Sequence, residues 1–114
     1  MIIINNTKEL VIVDRLMIAD TFNRRLRGLL GTSYLPPGRG LLISPCCTIH
    51  TFGMRYPIDV LFIDRGFRVQ KIIPALPSGR LAGSFGSKYV LELPAGTVTG
   101  RLVEPGDELS LAGS

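Results

Sequence analysis

Between Cys46 and Asp64 the chain reads CCTIHTFGMRYPIDVLFID, and its last third constrains the fold most. Pro57 cannot donate to a ladder, and the Ile58–Ile63 run that follows it is apolar except for one residue. With the period of two of a strand, Ile58, Val60 and Phe62 share one face, and Asp59, Leu61 and Ile63 share the other. Such a strand is buried, so Asp59, its one charged member, needs a partner. Upstream, Thr48–Met54 is rich in β-branched and aromatic residues and is expected as a strand, with His50, Phe52 and Met54 on one face. The Arg55-Tyr56-Pro57 bend returns the second arm alongside the first. His50 and Asp59 are therefore expected to meet by a direct or water-bridged hydrogen bond, with Arg55, Tyr56 and Cys47 around them.

The other elements follow from turn and period signals. Asn5-Asn6 ends a short apolar run, and 10–19 reads as one or two strands broken near Asp14. Asp20 or Thr21 is a candidate N-cap. Phe22, Leu26, Leu29 and Leu30 then recur at helical spacing, with Gly31 suited to the residue after the helix, so Leu26 and Leu30 are expected deep in the core. Pro36-Pro37-Gly38 excludes regular structure, and Gly40–Ser44 is a short apolar strand. Asp64-Arg65-Gly66 signals a hairpin leading into a strand over 67–73, which places Lys71 inward or at an edge. The Gly, Pro and Ser-rich stretch from Pro74 to Gly86 reads as a long loop and a candidate lid. Strands are expected at 89–93 and 108–111, with one helical turn between them over 95–102.

At 114 residues the chain is expected to be a single domain over 1–114, too short for a dinucleotide-binding unit plus a substrate domain. The start MIIINNTKEL has no cationic segment followed by a long apolar one, and no apolar run approaches membrane-spanning length, so a cytoplasmic protein is expected. In that compartment Cys46 and Cys47 are free thiols, since a disulfide between neighbours demands a strained ring. The net charge of +4 rests mostly on arginine, a mild bias toward carboxylate or phosphate ligands. The cluster Arg24, Arg25, Arg27 lacks interleaved stacking aromatics and reads as a solvated helix face; no nucleic-acid partner is expected.

Several chemistries find their residue types here without their geometry. Cys46 or Cys47, His50 and Asp59 supply the types of a thiol hydrolase, but the spacing along an extended chain is awkward for contact. Adjacent cysteines project to opposite sides of a strand, unlike paired zinc ligands, which leaves a mixed site of one Cys, His50 and Asp59 as the conceivable metal arrangement. Ala82-Gly83-Ser84-Phe85-Gly86 mimics a nucleophile elbow without the strand before and helix after it. Gly38-Arg39-Gly40 lacks the Lys-Ser/Thr of a phosphate loop. No cofactor motif is read.

Four spaced blocks, ADTFNRRLRGLLG, GLLISPCCTIHTFGMRYPIDVLFID, YVLELPAG and PGDEL, give the chain a resemblance to the family known as domain of unknown function 192 over residues 15–112. That resemblance implies a β-rich sandwich-like domain with one short helix, and no reaction. The Ile-His-Thr-Phe-Gly-Met run resembles one branch of the family; other members carry Trp-Met-Lys-Asn there.

The expectation is thus a mainly β fold, a small antiparallel β-sandwich or flattened barrel with one short amphipathic α-helix. Two functions are carried forward. One is a domain binding a small, anionic molecule at a site of His50, Asp59, Arg55, Tyr56 and Cys47, with Arg55 at the rim. The other is a protein-interaction module in which His50 and Asp59 form a buried structural pair.

Overall fold

The computed structural model describes residues 1–99 and 102–113. Strand β6, Ile58–Ile63, is buried at all six positions, which requires cover on both faces. It lies within a five-stranded sheet of order β3-β4-β9-β6-β7, where β3 is Arg15–Ala19, β4 is Arg39–Ile43, β7 is Val69–Leu76 and β9 is Tyr89–Pro94. Its alternation matches the sequence: Ile58, Val60 and Phe62 enter one core with Ile43, Val90 and Leu29. Leu61 and Ile63 enter a second core with Leu42, Leu91 and Leu93. Each fully buried side chain of this size contributes about 2–3 kcal/mol from apolar burial.

The second core is closed by a three-stranded sheet, β10-β1-β2, formed by β1 (Ile2–Asn5), β2 (Leu10–Val13) and β10 (Leu109–Ala112). The two ends of the chain meet there, since β1 pairs with β10. Asp107 beside this sheet accepts from Asn5 Nδ2 at 2.9 Å and from Lys8 Nζ at 2.9 Å. The first core is covered by Leu29 and Leu30, which follow helix α1 (Phe22–Arg27), and by a two-stranded ribbon of β5 (Thr48–His50) and β8 (Leu81–Gly83). Every strand pairing is antiparallel except β3 with β4, which run parallel from Arg15↔Arg39 to Ala19↔Ile43. The fold is mainly β, and among the described residues the sheets do not close into a barrel.

Three expectations are corrected. Thr21 is the N-cap, its Oγ1 accepting from Arg24 N at 3.2 Å, but the helix ends at Gly28 (φ 52°), three residues before Gly31. Leu29 and Leu30 therefore lie beyond the helix, and the stripe expected from Phe22 to Leu30 is split. Leu29 is 3% exposed in the core, Leu30 packs against its edge, and Leu26 and Phe22 are 64% and 71% exposed. Thr48–Met54 is not one strand: β5 stops at His50, and Gly53 (φ 82°) turns the chain, although His50 still stacks on Phe52 at 5.6 Å. Pro74–Gly86 is not a free loop or lid. It contains the end of β7 and all of β8, and Thr51 ties it down by bonding Pro77 O, Arg80 N and Arg80 O. Lys71 is exposed on edge strand β7, its Nζ on Gly83 O. Of the helical turn expected at 95–102, 95–98 form turns, and Gly100 and Arg101 lie outside the described residues.

Candidate functional site

Strand β9 carries the residue that defines a site. In YVLELP the alternation sends Leu91 and Leu93 to the second core and Val90 to the first, so Glu92 points with Val90 toward α1 and β5. Its flanking partners are apolar, Leu41 on β4 and Val60 on β6. Glu92 is 5% exposed, and its carboxyl makes no hydrogen bond or ion pair with any described residue. Burial alone pushes its pKa up from 4.5 to about 7.

The carboxyl opens onto a chamber of about 120 Å³ between the sheet, α1 and β5. Its walls are apolar at Leu29, Leu30, Ile43, Ile49 and Met54, and polar at Glu92, Cys46 and His50. Arg25, Leu26 and Arg27 line it from the helix. Gly28 closes the approach: a Cβ there would sit 4.0 Å from Glu92 Oε1. Cys46 donates its thiol to Thr48 O at 3.0 Å. Burial first, then the neighbouring Cys47 and Glu92, push its pKa up, so the thiol stays protonated and is a poor nucleophile. Arg25 is spoken for by carbonyls, Thr21 O at 3.4 Å and Pro45 O at 3.2 Å.

Of the five residues expected to form the binding site, His50, Asp59, Arg55, Tyr56 and Cys47, His50 alone lines this chamber; Cys46, the other candidate thiol, lines it too. Asp59 is fully buried on the opposite face of the sheet, where its Oδ1 accepts from Ala75 N at 2.8 Å and its Oδ2 from Val98 N at 3.0 Å. The partner it requires is thus backbone rather than His50. The β6–β7 register shifts between Ile58 and Val60, which frees Ala75 N to meet the carboxylate. Tyr56 OH shares a 2.7 Å hydrogen bond with Thr32 Oγ1, and Arg55 is exposed on the bend. Cys47 is exposed in a separate shallow depression with Arg65, Ser87 and Lys88. Both cysteines are free thiols. Among the described residues no group of three His, Cys, Asp or Glu side chains is placed to hold a metal.

Glu92 was not singled out from sequence, although its signal equals that of Asp59: one acid inside an apolar run that alternates between two cores.

The family model of DUF192, described as Uncharacterized ACR, matches residues 2–111. The chain belongs to the DUF192 family. It is 35% identical to a UPF0127 protein of Thermococcus sibiricus over 114 residues, covering 94% of this chain and 72% of that one. A UPF0127 protein of Pyrococcus horikoshii is 32% identical over 113 residues, covering 94% and 96%. Among solved structures, a protein of unknown function from Novosphingobium aromaticivorans shares the fold with a TM-score of 0.84 at 21% identity, over 96% of this chain and 83% of that one. Among the described residues no helix is long and apolar enough to cross a membrane.

Proposed function

We propose that this DUF192 domain binds a compact small molecule in the chamber beneath α1, with Glu92 as the polar anchor. One observation carries the proposal: a glutamate that is 5% exposed lines a cavity, and its carboxyl has no partner among the described residues. Leaving such a group unpaired costs on the order of 1–3 kcal/mol, and a bound molecule that pairs with it recovers that cost. An apolar chamber with a few convergent polar groups and a perturbed acid has the general character of a ligand site. His50 stays in the site at the chamber wall. Asp59, Arg55, Tyr56 and Cys47 take structural or surface roles.

A second reading is favoured by a different observation. Phe22 on α1 and Leu81 on β8 are each more than 70% exposed, the kind of apolar surface an interaction module presents. A nuclear magnetic resonance screen of molecules with fewer than about eight non-hydrogen atoms separates the two. Ligand binding predicts hits that shift the Glu92, Ile49 and Met54 resonances and vanish in Leu30→Trp, which fills the chamber. Shifts confined to Phe22 and Leu81, unaffected by that substitution, would favour the interaction surface instead.

A further inference from the structure

We propose that the ligand carries a compact cationic head, a primary ammonium or amidinium, seated against Glu92, with a short apolar tail along Ile43, Ile49 and Met54. The inference rests on the small-ligand reading and names the chemistry of that same site. Within the chamber the side chains offer one acid and no cation paired to it: Glu92 has no salt bridge among the described residues, Arg25 is held by the carbonyls of Thr21 and Pro45, and Arg27 stands exposed at the mouth on α1. The Cys46 thiol already donates to Thr48 O. An anionic head placed here would face the Glu92 carboxylate in low dielectric, and a neutral head would pair with that carboxyl only while it stays protonated. A cation supplies the missing partner in a charge-assisted hydrogen bond. The size agrees: a 150 Å³ apolar cavity takes benzene, so about 120 Å³ takes five or six non-hydrogen atoms.

The test titrates the full chain with butylammonium, 1-butanol and butyrate, short straight-chain molecules of similar size that differ in the charge of the head, at pH 5.5 and 8.5. Groups facing the chamber with Glu92 are Arg25 and Arg27 on α1, Cys46 after β4 and His50 on β5, while neighbouring strands contribute apolar Leu41 and Val60. Butylammonium should bind best, shifting Ile49 and Met54. Its affinity should rise about thirty-fold between the two pH values, because the cation needs an ionised Glu92 whose midpoint is about 7. Glu92→Gln should weaken it at least tenfold and flatten the pH dependence. His50→Asn should keep that dependence, which separates the Glu92 carboxyl from the imidazole at the chamber wall. Equal or tighter binding of butanol or butyrate, or a flat pH profile in the unmodified chain, overturns the cationic head while leaving a small-ligand chamber. Failure of all three to shift the chamber resonances overturns the small-ligand reading itself.

Discussion

Glutamine at position 92 keeps the size of the side chain and removes its charge, so comparing the two proteins isolates the cost of ionising a buried carboxyl. The folded-state pKa of Glu92, about 7, is raised above its ordinary 4.5. The sign follows from that direction. Below pH 4.5 the group is protonated folded and unfolded, and nothing is lost; between 4.5 and 7 only the unfolded chain ionises it, so folding becomes steadily less favourable; above 7 the full cost is present. At 1.36 kcal/mol per pH unit the difference amounts to about 3 kcal/mol. Because Glu92 is only 5% exposed, solvent screening removes little of it. Urea denaturation at half-unit steps from pH 4.5 to 8.5 measures the effect. Relative to Glu92→Gln, the parent should lose about 3 kcal/mol across this range, or about 10 °C in Tm, with a plateau above pH 8. Effects of other titrating groups cancel in the difference. Stability curves that run parallel at every pH would refute the reasoning, because they would mean that the Glu92 carboxyl is solvated or paired.

Asp59→Ala should cost about 2–5 kcal/mol in urea denaturation, since it strips the partners from two inward-facing amides, Ala75 N and Val98 N; a loss under 1 kcal/mol would mean water replaces the carboxylate easily. Leu29→Ala should cost about 2–5 kcal/mol while Leu26→Ala costs under about 0.5, the reverse of a helix whose stripe continues to Leu30, and equal costs would contradict the placement of the helix end at Gly28. Thiol titration with a disulfide reagent at pH 8 should show one fast group, Cys47, and one slow group, Cys46, with Cys46 slowed further by butylammonium; two equally fast thiols would contradict the burial that raises the Cys46 pKa.

Local patterns were the legible part of this chain. The alternation of Ile58, Val60 and Phe62 against Leu61 and Ile63 assigns β6 its two faces, and both cores form there. Thr21 announces the start of α1 because a cap acts on an amide three residues away. The helix end is hidden in the sequence because Phe22, Leu26, Leu29 and Leu30 keep helical spacing across Gly28, and spacing alone does not register that a glycine there takes a positive φ. The parallel β3–β4 pair joins segments more than twenty residues apart and has no local signature. At the site, Asp59 was rightly expected to be buried and partnered. Its partners are backbone amides brought by a register shift and by a turn 39 residues downstream, which no spacing near Asp59 encodes. Glu92 carried the same signal but stood outside the stretch holding the cysteines and the histidine.

The Glu92 carboxyl carbon, labelled with ¹³C and followed by nuclear magnetic resonance, reports the central claim directly. A buried acid without a protein partner should titrate near pH 7 in the free chain and fall below about 5 when butylammonium occupies the chamber, because a cation favours the ionised form. A midpoint at the ordinary 4.5 in the free protein, unchanged by the amine, would contradict the account.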